Sequence, residues 1–198
     1  MEEINKRSKP PVLSLLELAR RARHAENGVA LQFILVNQTH EIAPYLIAAL
    51  WIEGEGIVMQ SGVTEVEKHA PFIMWLSHLG AYLSDTQHKI TTIEPSMLTT
   101  QDVDEWESNL PPEALWLPVL THQKKAGLLI CREEPWTDQE MKLLNEWMDT
   151  WGHAWNKMHV QSLPGEIQQI GQSLKGWLTL SDGRDDEGFF SSLWSNKR

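Results

Sequence analysis

Apolar and polar positions alternate along this chain in two periods. From Ser14 the apolar residues follow a helical rhythm to about Glu26, and Asn27-Gly28 interrupts it. Ser14-Leu15-Leu16-Glu17 has the form of a capping box, with Ser14 as the N-cap. Asn27 is placed to cap a second helix running through Glu41, and Pro44 ends it. Tyr45 to Glu53 and Ile57 to Gln60 read as strands of a hairpin turned by Gly54-Glu55-Gly56. Pro71 suits the first position of a helix over APFIMWLSHLGAYL, and Ile90 to Ile93 is a short β-branched strand. Residues 95–113 are polar, broken by prolines, and read as a long loop. A second hairpin pairs Leu115 to Thr121 with Ala126 to Arg132.

The start of the last long helix is explicit. In Pro135-Trp136-Thr137-Asp138-Gln139-Glu140, Thr137 is the N-cap, Glu140 completes the capping box, and Trp136 is placed to staple onto Met141. Along this helix Met141, Leu144, Met148, Trp151, Trp155 and Met158 make a heptad-like seam. Leu143, Trp147 and Ala154 widen the apolar arc to roughly 160°, where a surface helix needs about 100°. The excess predicts two contacts. One edge meets the sheet and the other meets a neighbouring helix, either the first helix or its copy in a second chain. Leu144, Met148, Trp151, Trp155 and Met158 are therefore candidate interface residues. The helix is predicted to stop before Pro164-Gly165, with another amphipathic helix over 166–180 and a polar tail after it. The organisation expected is a flexible N-terminus over 1–13, a domain over 14–160, and a C-terminal helix and tail over 161–198.

This element order implies an α+β sandwich, a central antiparallel sheet with helices on one face and a lid region on the other. Residues from about Asn27 to His159 resemble a GAF domain, a profilin-like fold. The specific part is VLTHQKKAGLLICREEPWTDQEMKLL, Val119 to Leu144, similar to the last two GAF strands followed by a P-[FW]-T-x-x-E-x-x-L-L helix opening. VNQTHEIAPY, ALW and SGVTEVEKHAPFIMWL also resemble the cytoplasmic GAF region of bacterial membrane-fusion (HlyD-like) adaptor proteins. The resemblance implies a regulatory domain without catalytic activity. It would bind a small molecule between sheet and lid or relay a signal by dimerising, and pass the result to a partner. The alternative is an assembly module of a bacterial secretion or transport system with no ligand. Trp51, Met59, Trp75, Trp106 and Trp116 would line the ligand space; equally, they simply pack the core.

Composition narrows the functions. The net charge of −10 opposes a phosphate backbone, and the Arg20, Arg21, Arg23, His24 cluster is read as a solvated helix face, so nucleic acid is not an expected partner. No run is long and apolar enough to span a bilayer, and the first residues lack a signal-peptide core, which points to the cytoplasm. Cys131 is the single cysteine. Alone it cannot complete the disulfide cycle of the GAF-like methionine sulfoxide reductases. It also stands outside the lid region, where the resemblance places a bilin-attachment cysteine. The Asn-Lys-x-Phe-Asp-Glu pattern of cyclic-nucleotide GAF domains is absent. The eight histidines are scattered, without partners at ligand spacing, so no metal or other cofactor is expected.

Overall fold

The computed structural model describes residues 10–119, 121 and 124–161. Five strands form one antiparallel sheet: β1 (Ile47–Ile52), β2 (Gly56–Gln60), β3 (Thr91–Ile93), β4 (Glu113–Val119) and β5 (Ala126–Arg132). Their order across the sheet is β2-β1-β5-β4-β3. The first and last strands of the two hairpins thus meet in the middle, where β1 pairs with β5 from Ile47 opposite Cys131 to Ile52 opposite Ala126. Both faces of this centre are covered, so β5 is buried along its whole length.

Successive residues sort to opposite faces with period two. Ala48, Leu50, Leu115, Leu117, Leu128 and Ile130 face α1 (Pro11–Arg23), α2 (Gly28–Phe33) and α5 (Asp138–Gln161). Ala49, Trp51, Ala114, Trp116, Leu129 and Cys131 face the lid side, which carries α3 (Pro71–Thr86) and α4 (Thr100–Asn109). The α+β sandwich expected from the element order is the architecture found.

Several local expectations hold, and others are corrected. The Asn27 side chain accepts a hydrogen bond from the Ala30 amide at 2.9 Å, as an N-cap should. Pro71 opens α3 at its first turn. By contrast, α1 begins at Pro11, and Ser14 lies inside it, buried and not capping. Pro11 has the fixed φ of a first helical residue and needs no amide partner there, so the helix starts one turn earlier. The flexible segment assigned to 1–13 is therefore helical from Pro11, while residues 1–9 lie outside the described residues.

The second helix does run to Glu41, but not as one α-helix. It widens to a π-helix over Ile34–Gln38 and tightens to a 3-10 turn over Thr39–Glu41. Within it the Thr39 hydroxyl donates back to the Leu35 carbonyl at 2.6 Å, and the Val36 carbonyl receives the Tyr45 hydroxyl at 2.7 Å. Side chains thus serve carbonyls that the i to i−4 ladder leaves in a widened turn. The loop expected over 95–113 contains a 3-10 turn, Pro95–Met97, and α4. The predicted helix over 166–180 and the tail lie outside the described residues.

The capping box at the start of α5 forms. Thr137 Oγ1 accepts from the Glu140 amide, and Glu140 Oε2 accepts from the Thr137 amide at 2.9 Å. Glu140 also receives both guanidinium nitrogens of Arg132 at 2.7 Å each. Arg132 further donates to the carbonyls of Pro44, Glu134 and Pro135. Its guanidinium lies 3.8 Å over the ring of Trp136. The P-W-T-x-x-E run is thus an ion-pair clamp that joins the end of β5 to the start of α5 and to the segment entering β1.

Candidate functional site

The space between the sheet and α3/α4 is where a sandwich of this kind offers an interior. Four of the five residues expected to line it, Trp51, Trp75, Trp106 and Trp116, do come together there. Met59 does not. A bulge between Leu50 and Trp51 shifts the β1–β2 register, and Met59 packs against the cluster on the other face.

The four tryptophans occupy the space rather than frame it. Trp51 lies against α3 where that helix carries Gly80, and a Cβ there would meet Trp51 Cγ at 2.6 Å. Trp116 lies across Gly127 of the neighbouring strand so closely that a Cβ would stand 2.7 Å from its Cε2 and nearer still to its outer ring. Each large ring is thus admitted by a missing side chain beside it. Trp75 and Trp106 meet edge to face with centroids 6.5 Å apart. Trp75 Nε1 donates to Asp102 at 2.9 Å, and Trp106 Nε1 donates to the Pro111 carbonyl at 3.0 Å. Thr99 caps α4 by accepting from the Asp102 amide, and its hydroxyl donates to Asp102 at 2.6 Å. The lid helix is therefore latched to α3 through one carboxylate. Sequence reasoning missed Thr99 and Asp102, although Thr-x-x-Asp is itself a capping signal.

A cavity of about 120 Å³ lies on this side beside Trp106, walled by Ile93, Pro95, Leu98, Val103 and Pro112, with Glu94 and Glu107 in its lining. Sites for drug-sized molecules span about 300–1,000 Å³. The indole nitrogen of Trp116 is buried and has no hydrogen-bond partner among the described residues.

Cys131 is buried on the same face, and burial pushes its thiol well above the ordinary range. It is thus held as a neutral thiol. Among the described residues no three His, Cys, Asp or Glu side chains converge to hold a metal ion.

The candidate interface on α5 proves to be largely interior to the chain. Leu144, Met148 and Trp151 are buried, with Trp147, in the core of the sheet's helical face. Within the chain this edge reaches α2 and the 3-10 turn that follows it, and Leu18 and Ala22 of α1 belong to the same buried cluster. Trp151 Nε1 donates to the Leu31 carbonyl at 2.8 Å, and Trp147 Nε1 donates to Thr39 Oγ1 at 2.6 Å. Trp155 stacks on Trp151 at 5.0 Å, and it and Met158 are half-buried.

No family model and no curated protein matches this sequence. The narrower likeness to membrane-fusion adaptors thus finds no support. Solved structures do match. The phycoerythrobilin-bound GAF domain of a cyanobacterial phytochrome is 12% identical with a TM-score of 0.55, over 78% of this chain and 99% of that one. The GAF domain of a phosphoenolpyruvate-protein phosphotransferase (ptsP) from Coxiella burnetii is 10% identical with a TM-score of 0.54, over 79% of this chain and 99% of that one. The equivalent GAF domain from Acinetobacter is 10% identical with a TM-score of 0.52, over 75% and 94%. The arrangement of five antiparallel strands between two helical layers is the fold of the GAF domains.

Proposed function

We propose that this chain is a non-catalytic GAF-type regulatory module that acts through contacts with protein rather than by enclosing a large ligand. The observation that carries this reading is the lid-side interior, filled by Trp51, Trp75, Trp106 and Trp116 against the bare positions Gly80 and Gly127. A tetrapyrrole such as the one bound to the cyanobacterial domain would need this space cleared of rings. Their burial makes such displacement expensive, at about 3–5 kcal/mol for each ring removed from a core. A buried, neutral Cys131 supports the non-catalytic part of the reading. The test is direct. Phycocyanobilin, biliverdin and cyclic nucleotides are titrated while tryptophan fluorescence and visible absorbance are followed. No saturable change in the micromolar range is expected; saturable binding of any of them overturns the filled-interior reading.

A second reading rests on the unpartnered indole nitrogen of Trp116 and the cavity beside Trp106. A molecule of a few heavy atoms with a hydrogen-bond acceptor would fit the cavity's size, an acceptor that reached Trp116 would satisfy its indole, and the domain would then sense a small metabolite. A thermal-shift screen of small carboxylates and carbonyl compounds tests it. A shift kept in Trp116→Phe, which lacks the indole nitrogen, counts against Trp116 as the donor.

A further inference from the structure

The two edges of the sheet are finished differently. At the β2 edge the Ile57 amide, turned away from β1, donates to Ser77 Oγ of α3 at 3.1 Å, so a helix side chain caps that strand. At the other edge stands β3, paired with β4 alone, from Thr91 opposite Trp116 to Ile93 opposite Ala114. Alternate residues of an antiparallel strand turn their N–H and C=O groups outward. Among the described residues nothing bonds to the outward backbone groups of β3. An edge left in this state is a template for another strand.

A recess opens on each face of this edge. On the lid side it is the cavity of about 120 Å³ beside Trp106, which Ile93 and Leu98 help to wall. An apolar cavity of about 150 Å³ holds a benzene ring, so this one has room for a leucine or valine side chain. Glu94 and Glu107, both exposed, are in its lining. On the helical side it is a cleft of about 690 Å³ between α5 and the segment entering β3. Ile90, Met141 and Met148 give the cleft apolar cover. Asp138, Glu146 and Asp149 stand exposed along α5, with Lys142 on the same helix and His88 and Lys89 on the strand side. Over the two recesses together, five carboxylates face two ammonium groups.

The period of a strand ties the recesses together. Ile90 packs with the cluster on the helical face, and Ile93 belongs to the lid-side cluster. They are three residues apart, an odd number, as opposite faces require. In an added strand, the residues opposite them share those faces. These too stand three apart, so one side chain enters the cavity and the other the cleft.

We infer that the β3 edge takes up an extended basic segment of a partner protein as a sixth strand, with an apolar-x-x-apolar spacing. Main-chain bonds to β3 align the segment. Its two apolar side chains fill one recess each, and lysines or arginines beside them face the carboxylates. β3 is only three residues long, so the main-chain bonds are few and the recesses supply most of the selectivity. The β3 edge of a second copy is a poorer occupant, because two-fold pairing of like edges brings the same acidic rims together. The inference rests on the reading that this domain acts through protein contact, and it names the contact.

The test titrates the whole chain into fluorescein-labelled Gly-Lys-Leu-Lys-Thr-Val-Lys-Gly and follows anisotropy. The control, Gly-Lys-Leu-Lys-Val-Thr-Lys-Gly, has the same composition and charge but turns both apolar side chains to one face. The first peptide is expected to bind saturably, about tenfold tighter than the control, since the control leaves one aliphatic side chain outside its recess. N-methylation of its central Lys and Thr, one of which must turn its amide to β3, should abolish binding. Hydrogen exchange over Thr91–Ile93 should slow when the peptide is bound. Glu146→Lys/Asp149→Lys, at exposed positions, should weaken binding about tenfold without changing the circular dichroism spectrum. Equal affinity for the two peptides overturns the inference. So does a lack of saturable binding, or binding that leaves exchange over Thr91–Ile93 unchanged. Self-association that slows exchange at those same amides would give the edge to a second copy and likewise overturn it. Saturable bilin binding would refute the filled interior without altering any of these results, and failure at the edge leaves the filled interior standing.

Discussion

Gly127→Ala probes the filled interior with one methyl group. Gly127 has no positive φ, so its backbone accepts an L side chain without strain. Only space forbids the change, since the new Cβ would lie inside contact distance of Trp116, whose ring is 1% exposed. Overpacking of this kind costs about 1–3 kcal/mol or more. At about 2–4 °C per kcal/mol for a chain of this size, a cost of about 3 kcal/mol lowers Tm by about 6–12 °C. The decisive step is a second background. Trp116→Leu removes the ring and by itself costs about 3 kcal/mol or more through the cavity left behind. In that background the added methyl enters vacated space, and Gly127→Ala should stabilise by about 0.5–1 kcal/mol. The sign of one substitution thus reverses, giving a coupling of about 3 kcal/mol or more. Urea unfolding of the four proteins measures it. If Gly127→Ala costs the same in both backgrounds, or less than about 0.5 kcal/mol in the wild type, the Trp116 ring moves freely. The interior would then be adaptable, and the ligand reading would regain its ground.

Four further outcomes follow from the contacts described. The hydrogen bonds from Arg132, and secondarily those from Thr137, hold the Glu140 carboxyl at about 2 against an upward push from burial. A depressed carboxylate contributes stability that is present above its unfolded pKa and lost as pH falls towards the folded value; here that is up to about 3 kcal/mol, lost between about pH 4.5 and 2. Urea midpoints should fall over that window in the wild type, and much less in Glu140→Gln. Trp147→Phe strips the buried Thr39 hydroxyl of its indole donor and should cost about 1–3 kcal/mol, whereas Trp155→Phe, half-buried, should cost less than half as much in the same assay. Asn27→Ala should destabilise by about 1 kcal/mol as a lost cap, a larger loss than an exposed non-capping helix position such as Lys142→Ala would show in calorimetry. Cys131 should resist an aromatic disulfide reagent in the native protein and react only in denaturant.

The elements legible in the sequence are those whose signals are local and redundant. The α5 start carries a cap, a reciprocal glutamate and a proline, all of which act within one turn. The central strands carry β-branched and aliphatic runs bounded by turns. Where two local signals compete, the reading fails: Ser14…Glu17 has the form of a cap, but Pro11 opens the helix first. The lid helix α4 is invisible for a different reason. Its sequence TQDVDEWESN holds two apolar residues, Val103 and Trp106, of which only Trp106 is buried, and a single pair sets no period. The π-helical turn Ile34–Gln38 has no composition cue either; the Tyr45 hydroxyl that serves its Val36 carbonyl stands outside the helix, beyond the reach of a helical period.

The candidate site shows why fold is easier to read than function. Sequence places four tryptophans on one side of the sheet correctly, but burial alone does not distinguish the wall of a pocket from its contents. That distinction is made by what stands opposite each ring. Gly80 is 29 residues from Trp51 in sequence, and Gly127 is 11 from Trp116, so neither pairing has a local period to reveal it. A glycine on a buried helix face or in a central strand is costly by about 0.5–1 kcal/mol relative to alanine. Such a cost is offset when the bare backbone admits a ring that would otherwise point into empty space. Two such glycine–tryptophan pairs on the lid side make the interior a packed core. On the reading proposed above, it is the outer surface, rather than the packed space between sheet and lid, that would meet a partner.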